Sequence, residues 1–142
     1  MSLSRTEIVN TLTEWTRAWN DHDLDTIVQL FHDDVLFENW TGAAVRGRDA
    51  LAKAWLQWFA TDSQFRFTDE DLFVDESSQK ALYRWQLDWP SLEPGYEGRP
   101  ETRRGVDALT FRDGLIIEKL TYSKTTLEIG GQRVGLTAAA SA

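Results

Sequence analysis

The chain has 142 residues, of which 42% are hydrophobic and 27% charged, so we predict one folded domain rather than a disordered chain or two ordinary domains. Fifteen basic and 23 acidic residues give a net charge of -8, which argues against binding to nucleic acid or to an anionic membrane surface. There are no cysteines and only two histidines, which excludes disulfides, thiolate catalysis and Cys-based zinc sites and leaves too few ligands for a His-rich metal site.

Two amphipathic helices are predicted near the start of the chain. Residues 4–20 carry an apolar stripe at helical spacing, with charged residues away from it. This stripe consists of Ile8, Leu12, Trp15 and Trp19. Asp23 occupies the N-cap position of a second helix, which is expected to end at residues 32–34. The apolar positions of the second helix are Leu24, Ile27, Val28 and Phe31.

One strand and a third helix follow. Residues 35–40 alternate as a strand, which places Phe37 and Asn39 on the same face. Asp49 is expected to cap the third helix. The apolar stripe of that helix consists of Leu51, Trp55, Trp58 and Phe59.

From residue 65 onward the pattern changes to strands. Residues 82–89 alternate, and one face of this strand carries Tyr83, Trp85, Leu87 and Trp89. Residues 90–103 are rich in proline and glycine, which predicts either a long hairpin loop or a lid. Residues 127–136 contain Gly130-Gly131 and are expected to form a short hairpin.

The segment 104–124 contains the strongest hairpin signal, because two apolar runs flank Asp113-Gly114. In the first run, alternation places Asp107 on one face with Leu109 and Phe111, which predicts that this face points inward. A carboxylate on an inward face must find partners, become neutral or line a cavity. Asp107 is therefore the first candidate functional residue.

The order of elements predicts an α+β domain, with three N-terminal helices packed on a curved, mostly antiparallel sheet. Helices that cover such a sheet incompletely leave a conical cavity. We expect residues 1–136 to form a single domain and residues 137–142 to be a disordered tail. No signal peptide or segment of transmembrane length is recognised, so a cytoplasmic protein is expected.

Three segments carry a family resemblance: residues 18–38, residues 45–51 and residues 106–118. They resemble the nuclear transport factor 2-like superfamily, particularly its SnoaL-like and ketosteroid-isomerase-like branches. The resemblance implies a cystatin-like fold with a conical cavity, no cofactor, and a homodimer formed through the sheet face that the helices leave uncovered. This fold carries isomerases, cyclases, hydrolases, dehydratases and non-catalytic binders, so it does not define one activity.

The resemblance also implies roles for individual residues. Asp107 falls where ketosteroid isomerases hold a protonated aspartic acid in their oxyanion hole. Asn39 falls at their general base, and an amide cannot accept a proton at neutral pH. Trp15 falls at their oxyanion-hole tyrosine, and its indole can donate a hydrogen bond but cannot exchange a proton. Steroid-isomerase chemistry is therefore not expected.

Each catalytic candidate has a structural alternative. Asp107 either exchanges a proton with a ligand or pairs with a neighbouring cation; the candidate partners are Arg84, Arg104 and Lys119. Asn39 either orients a substrate or completes the loop at residues 41–42. Tyr122 is a candidate donor near the cavity or the dimer sheet. Lys119 would favour a charged, basic Asp107 if it pointed inward, but the pattern favours a solvated lysine.

The expected cavity wall is mostly aromatic, although aromatic stripes are more often ordinary core. The predicted substrate-binding residues are Trp15, Trp19, Phe37, Trp55, Phe59, Trp85, Leu109 and Lys119. Arg103 and Arg104 either bind an anion at the rim or balance the acidic residues of their loop. His22 is expected to be exposed, and His32 to end a helix rather than bind a metal.

These observations lead to a hypothesis of a SnoaL-like protein that binds a small hydrophobic ligand. As an enzyme it would perform cofactor-independent acid/base chemistry, of isomerase, cyclase or dehydratase type, on an apolar substrate bearing a carbonyl or hydroxyl group. The alternative is a non-catalytic ligand-binding or dimerisation domain in which Asp107 closes a polar network. A protein-interaction role is a third, weaker hypothesis.

Overall fold

The computed structural model describes residues 1–60 and 64–136. The predicted tail at residues 137–142 lies outside these ranges. The helices are α1 (Arg5–Asn20), α2 (Leu24–Gln29) and α3 (Arg48–Ala60). The strands are β1 (Phe31–Glu38), β2 (Ala44–Arg46), β3 (Arg66–Asp75), β4 (Lys80–Pro90), β5 (Pro100–Arg112), β6 (Leu115–Ser123), β7 (Thr126–Ile129) and β8 (Gln132–Gly135). None of these helices is long and apolar enough to cross a bilayer.

The strands form one curled sheet in the order β2-β1-β6-β5-β4-β3, and β7 joins β5 to β8. All neighbours are antiparallel except β1 and β6, which are parallel. The α1 helix packs on β3, and α3 packs on β1. The predicted α+β architecture, with three N-terminal helices on a mostly antiparallel sheet, is therefore confirmed.

The first helix follows directly from its sequence. Ser4 and Glu7 form a capping box, in which each side chain accepts a hydrogen bond from the other residue's backbone N–H. The predicted stripe is buried against the sheet: Ile8, Leu12, Trp15 and Trp19. Trp15 and Trp19 lie in the C-terminal half of this stripe, where their rings contact each other with 5.6 Å between ring centroids.

Phe31 corrects the prediction for the second helix. The helix ends at Gln29, and Phe31 begins β1, where it pairs with Ile116 of β6. Its ring meets Trp15 edge-on, with 5.4 Å between ring centroids. Phe31 keeps helical spacing with the residues before it, but its burial comes from the sheet, and burial outweighs local periodicity.

Other boundaries shift by a few residues. The strand β1 ends at Glu38, so Asn39 lies just beyond it rather than inside it. Helix α3 begins at Arg48, so Asp49 lies in its first turn instead of at the cap. The segment 90–103 is strand only at its two ends, because β4 ends at Pro90 and β5 begins at Pro100. Residues 91–99 form the connection, and within it the Ser91 N–H donates to the Arg99 carbonyl at 2.8 Å.

Both predicted glycine turns are present. Asp113 and Gly114 have φ values of 54° and 79°, as the two central positions of this tight hairpin require. Gly130 and Gly131 connect β7 and β8.

Gly105 has a different role, because it lies directly across the sheet from Trp85. A Cβ atom at this position would overlap the Trp85 ring and the Tyr122 carbonyl, so only glycine lets that ring lie across β5.

Candidate functional site

An aromatic cavity of about 260 Å³ lies between the helices and the concave face of the sheet. Most of its wall is formed by rings: Trp15, Trp19, Phe37, Trp40, Trp55, Trp58, Phe67, Tyr83 and Trp85. Five further lining residues carry polar groups: Thr16, Asn39, Asp107, Lys119 and Thr121. A largely apolar space with a few convergent polar groups is the usual form of a small-molecule site.

The structure separates the predicted wall residues into two groups. Five of the predicted hydrophobic residues line the cavity: Trp15, Trp19, Phe37, Trp55 and Trp85. The other two do not. Phe59 packs against Trp19 and Phe65, with ring centroids at 5.1 and 5.4 Å, and Leu109 is buried in the core. Periodicity identifies an apolar face but not the part of that face that remains unfilled.

Asp107 is buried on the concave face, as alternation predicts, and it has two protein partners. Lys119 Nζ donates to Asp107 Oδ1 at 2.9 Å, and Thr121 Oγ1 donates to the same oxygen at 2.6 Å. Thr121 lies directly across from Asp107 in the register of β5 and β6. The three side chains form one compact polar group in a mostly apolar wall.

Lys119 corrects the expectation of a solvated lysine. The exposed fractions of the Lys119 and Asp107 side chains are 8% and 4%. Lys119 Nζ lies 5.9 Å from the Trp15 ring centre and 5.1 Å from that of Phe37, where ring faces stabilise a cation. The sequence defines two faces of β6, but it does not show that the more polar one is concave.

The ion pair determines the chemical character of Asp107. A neighbouring ammonium group favours the charged carboxylate over the neutral acid. In this arrangement an ammonium group lies against the carboxyl group, which differs from the protonated aspartic acid that the resemblance implies. The hydrogen bonds from Lys119 and Thr121 both end on Asp107 Oδ1, so Oδ2 is the oxygen that can meet a ligand.

Asn39 lines the cavity and also forms hydrogen bonds within the turn that follows β1. Its Oδ1 accepts the Trp40 N–H at 2.8 Å, and its backbone N–H donates to the Ala43 carbonyl at 2.8 Å. These bonds complete the tight connection from β1 to β2. Asn39 therefore completes its loop, which is the structural alternative to orienting a substrate. Its amide nitrogen is the part that can orient a ligand.

Tyr122 does not join Asp107. It lies on the outer face of β6 and is 53% exposed, whereas its neighbour Thr121 points into the cavity. Alternation along a strand sends adjacent residues to opposite faces. Once Thr121 faces inward, Tyr122 must face outward, so of its two predicted locations Tyr122 occupies the outer sheet face and not the cavity.

Sequence reasoning missed the role of Tyr83. It lines the cavity and pairs with Asp107 of the neighbouring strand β5, and its hydroxyl donates to Asp69. Burial, followed by the bond to Asp69, raises the pKa of Tyr83, so the phenol keeps its proton. The alternation of β4 could have placed Tyr83 inward, but its contact with Asp69 depends on the register in which β3 pairs with β4.

Both candidate arginines form ion pairs with acidic side chains of the protein. Arg103 is buried and pairs with Glu93 and Glu101, while Arg104 pairs with Glu70 on the outer face. These contacts match the alternative in which the arginines balance acidic side chains, although Glu70 lies in β3 rather than in the same loop.

The histidines also lie away from the cavity polar group. His22 is exposed, and its ring contacts Phe65 with 4.2 Å between ring centroids. His32 lies in β1, and its Nδ1 accepts the Asp34 N–H at 3.0 Å. Within residues 1–60 and 64–136, no three His, Asp or Glu side chains are grouped to hold a metal ion.

Residues 12–119 match the SnoaL-like domain model. The chain belongs to the SnoaL-like family. None of the curated proteins matches its sequence.

Solved structures resemble this SnoaL-like domain closely in fold. A proposed polyketide cyclase from Xanthomonas campestris pv. campestris is 18% identical, with a TM-score of 0.73 over 84% of this chain and 92% of that chain. A proposed ketosteroid isomerase from Kribbella flavida is 16% identical, with a TM-score of 0.66 over 84% and 78%. An epoxide hydrolase of the LEH-like type from M. tuberculosis is 18% identical, with a TM-score of 0.68 over 84% of each chain. At these identities the likeness shows a shared fold, and the activity must be argued from the site.

Proposed function

We propose that this SnoaL-like protein binds a small apolar ligand in its aromatic cavity and performs cofactor-independent acid/base chemistry there. The substrate class is an apolar molecule with a carbonyl or hydroxyl group. The observation that carries the proposal is the buried group of Asp107, Lys119 and Thr121, which is the ionised part of a wall formed mostly by rings. A buried carboxylate beside an open cavity is a common arrangement for proton transfer.

Each polar residue of the site has a role in this proposal. Asp107 accepts a proton from a substrate carbon through Oδ2. Returning that proton to another carbon gives an isomerisation, and giving it to a departing hydroxyl group, which leaves as water, gives an elimination. Lys119 and Thr121 hold Oδ1 and prevent the carboxylate from rotating. Asn39 orients the ligand through its amide nitrogen. The rings exclude water and bind the hydrocarbon part of the substrate.

Asp107→Asn is the first test of this function. Asparagine keeps the shape and one acceptor but cannot take up a proton, so we expect turnover to fall by about 10²-fold or more while ligand binding persists. A thermal-shift screen with small hydrophobic ketones and alcohols would first identify ligands, because a ligand that binds only the native state raises the melting temperature. Each ligand would then be incubated with the wild type and with Asp107→Asn, and conversion would be followed by chromatography.

The second candidate function is ligand binding without catalysis. The closed set of bonds among Asp107, Lys119 and Thr121 favours it, because such a set can satisfy a buried charge without a substrate. Recovery of every bound ligand unchanged would support this alternative. If a conversion is found and Asp107→Asn retains it fully, Asp107 is not the proton acceptor.

We also propose a homodimer that forms through the outer face of the sheet. Three large apolar side chains are exposed there: Phe73 on β3, Leu82 on the adjacent β4, and Tyr122 on β6, which lies beyond β5. They border a shallow depression whose rim carries Glu70 and Arg104. An exposed apolar patch with a charged rim is typical of a protein interface. A second copy of the chain carries the same apolar patch, together with an acidic Glu70 and a basic Arg104 at its rim, so the two surfaces can pair with each other.

Leu82→Lys is expected to shift the protein from dimer to monomer at micromolar concentration, because two lysines would meet in the apolar centre of the interface. Sedimentation velocity measures the change. Leu92→Lys is the matched control, since Leu92 is also exposed but lies in the loop at residues 91–99. A wild-type protein that sediments only as a monomer at this concentration would contradict the dimer.

A further inference from the structure

Three hydroxyl and carboxyl groups meet on the side of the cavity formed by α1 and β3. Thr16 and Tyr83 line the cavity, whereas Asp69 is exposed to solvent. Thr16 Oγ1 lies 2.9 Å from Asp69 Oδ1 and 2.8 Å from the Tyr83 hydroxyl oxygen. The Tyr83 hydroxyl also donates to Asp69 Oδ1. Tyr83 therefore stands in the wall between the cavity and a surface carboxylate.

Counting protons shows which groups this wall presents to a ligand. Tyr83 and Thr16 each carry one hydroxyl proton, and the Asp69 carboxylate carries none. A hydrogen bond from a phenol to a carboxylate is stronger than one from a phenol to a neutral oxygen. The Tyr83 proton is therefore directed at Asp69. The Tyr83 oxygen then offers its lone pairs as acceptors, either to Thr16 Oγ1 at 2.8 Å or to an occupant of the cavity.

The neighbouring strand adds a second acceptor. Asp107 lies directly across from Tyr83 in the register of β4 and β5, and side chains in such a pair are about 5 Å apart at Cβ. Lys119, the cation beside Asp107, already donates hydrogen bonds to Asp107 at 2.9 Å and to Thr121 at 2.6 Å. Since the burial of Tyr83 raises its pKa, the phenol remains a neutral acceptor rather than a second anion.

We propose that this pair makes the cavity selective for a ligand with a hydroxyl group over a ketone of the same shape, with Tyr83 accepting the hydroxyl proton and Asp69 fixing the direction of the Tyr83 proton. The inference rests on the proposed function and narrows its substrate class. A ketone offers only acceptors, so it would face the lone pairs of Tyr83 without a hydrogen bond. Sites built to bind a hydroxyl discriminate against analogues that lack it, because their buried polar groups are left unpaired.

Three bicyclic probes test the inference by calorimetry: β-tetralol, β-tetralone and tetralin. They share one hydrocarbon frame and differ only in the oxygen group. We expect the alcohol to bind the wild type about tenfold more tightly than the ketone, which corresponds to one good hydrogen bond. Tetralin reports the apolar contribution alone. Equal binding of alcohol and ketone, or a preference for the ketone, overturns the inference and leaves the ligand-binding proposal intact.

Variants identify the residues responsible. Tyr83→Phe should reduce alcohol binding to the level of the ketone and leave ketone binding unchanged. Asp69→Asn lies at an exposed position and keeps the size of the side chain, and its amide can donate to Tyr83 and turn the phenol proton into the cavity. It should therefore remove or reverse the preference for the alcohol. Tyr122→Phe removes a hydroxyl from the outer face and should change neither affinity.

The outcomes separate the two proposals. If none of the three probes binds the wild type, the cavity proposal fails, and the selectivity proposal fails with it. If the alcohol binds preferentially and Asp69→Asn keeps that preference in full, Asp69 does not direct the Tyr83 proton and the assignment is wrong. Thermal unfolding of each variant shows whether it is folded. Should Tyr83→Phe not fold, Asp69→Asn still decides the question, because the altered residue is at the surface.

Discussion

Lys119→Met is expected to lower the free energy of unfolding by about 3–5 kcal/mol, because it leaves the Asp107 carboxylate buried without its counter-charge. The side chains of both residues are almost completely buried, and the carboxylate cannot recover its lost hydration. Methionine fills a similar volume, so the loss reports the charge rather than a cavity. Urea unfolding followed by tryptophan fluorescence measures the change in free energy.

A second substitution separates charge from packing. The double variant Lys119→Met with Asp107→Leu removes both charges, and we expect it to recover much of the lost stability, because apolar residues often replace a buried ion pair without penalty. Lys124→Met is the matched control, since Lys124 is exposed just beyond the end of the same strand. If Lys119→Met is as stable as the wild type, the charge of Asp107 is compensated in another way and its assignment as a carboxylate base is unsupported.

Arg103→Met is expected to cost a similar amount, about 3–5 kcal/mol, by leaving two acidic side chains without their cation. Arg103 Nη2 lies 2.9 Å from Glu93 and Nε lies 3.2 Å from Glu101. The Glu101 side chain is fully buried and also accepts a hydrogen bond from the Trp89 indole. The guanidinium group stacks 4.4 Å from the ring centre of Trp40. Thermal and urea unfolding measure the loss.

The adjacent residue provides the control for this prediction. The Arg104 side chain is 46% exposed and pairs with Glu70 on the outer face, where solvent weakens the interaction. Arg104→Met should therefore leave the unfolding midpoint almost unchanged. Because Trp40 lines the cavity, Arg103→Met should also weaken ligand binding, whereas Arg104→Met should not. Equal effects of the two substitutions on stability would show that the buried network contributes little.

Local sequence patterns predicted the elements that depend on interactions between residues close together in the sequence. The capping box at Ser4 and the stripe ending at Trp19 define α1 without any information from the sheet. Asp113-Gly114 defines the hairpin between β5 and β6, because its two positive φ values suit these residue types. The boundary between α2 and β1 was predicted incorrectly, since Phe31 satisfies a helical stripe in the sequence but pairs with Ile116 in the sheet.

The candidate site was predictable only in part. Alternation along β5 correctly placed Asp107 inward beside Leu109. The inward position of Lys119 and the outward position of Tyr122 required the curvature of the sheet, because alternation gives two faces without saying which one is concave. The contact of Tyr83 with Asp69 required the pairing of β4 with β3, because the two residues lie on different strands.

The sequence by itself determined the α+β order of elements, the first helix, the central hairpin and the burial of a carboxylate at position 107. These follow from periodicity, capping and turn chemistry, which act over a few residues. Only the tertiary structure decided that Lys119 pairs with this carboxylate and that Tyr83 lies beside it on the neighbouring strand. Such contacts depend on strand register and sheet curvature, which arise when distant segments pack together.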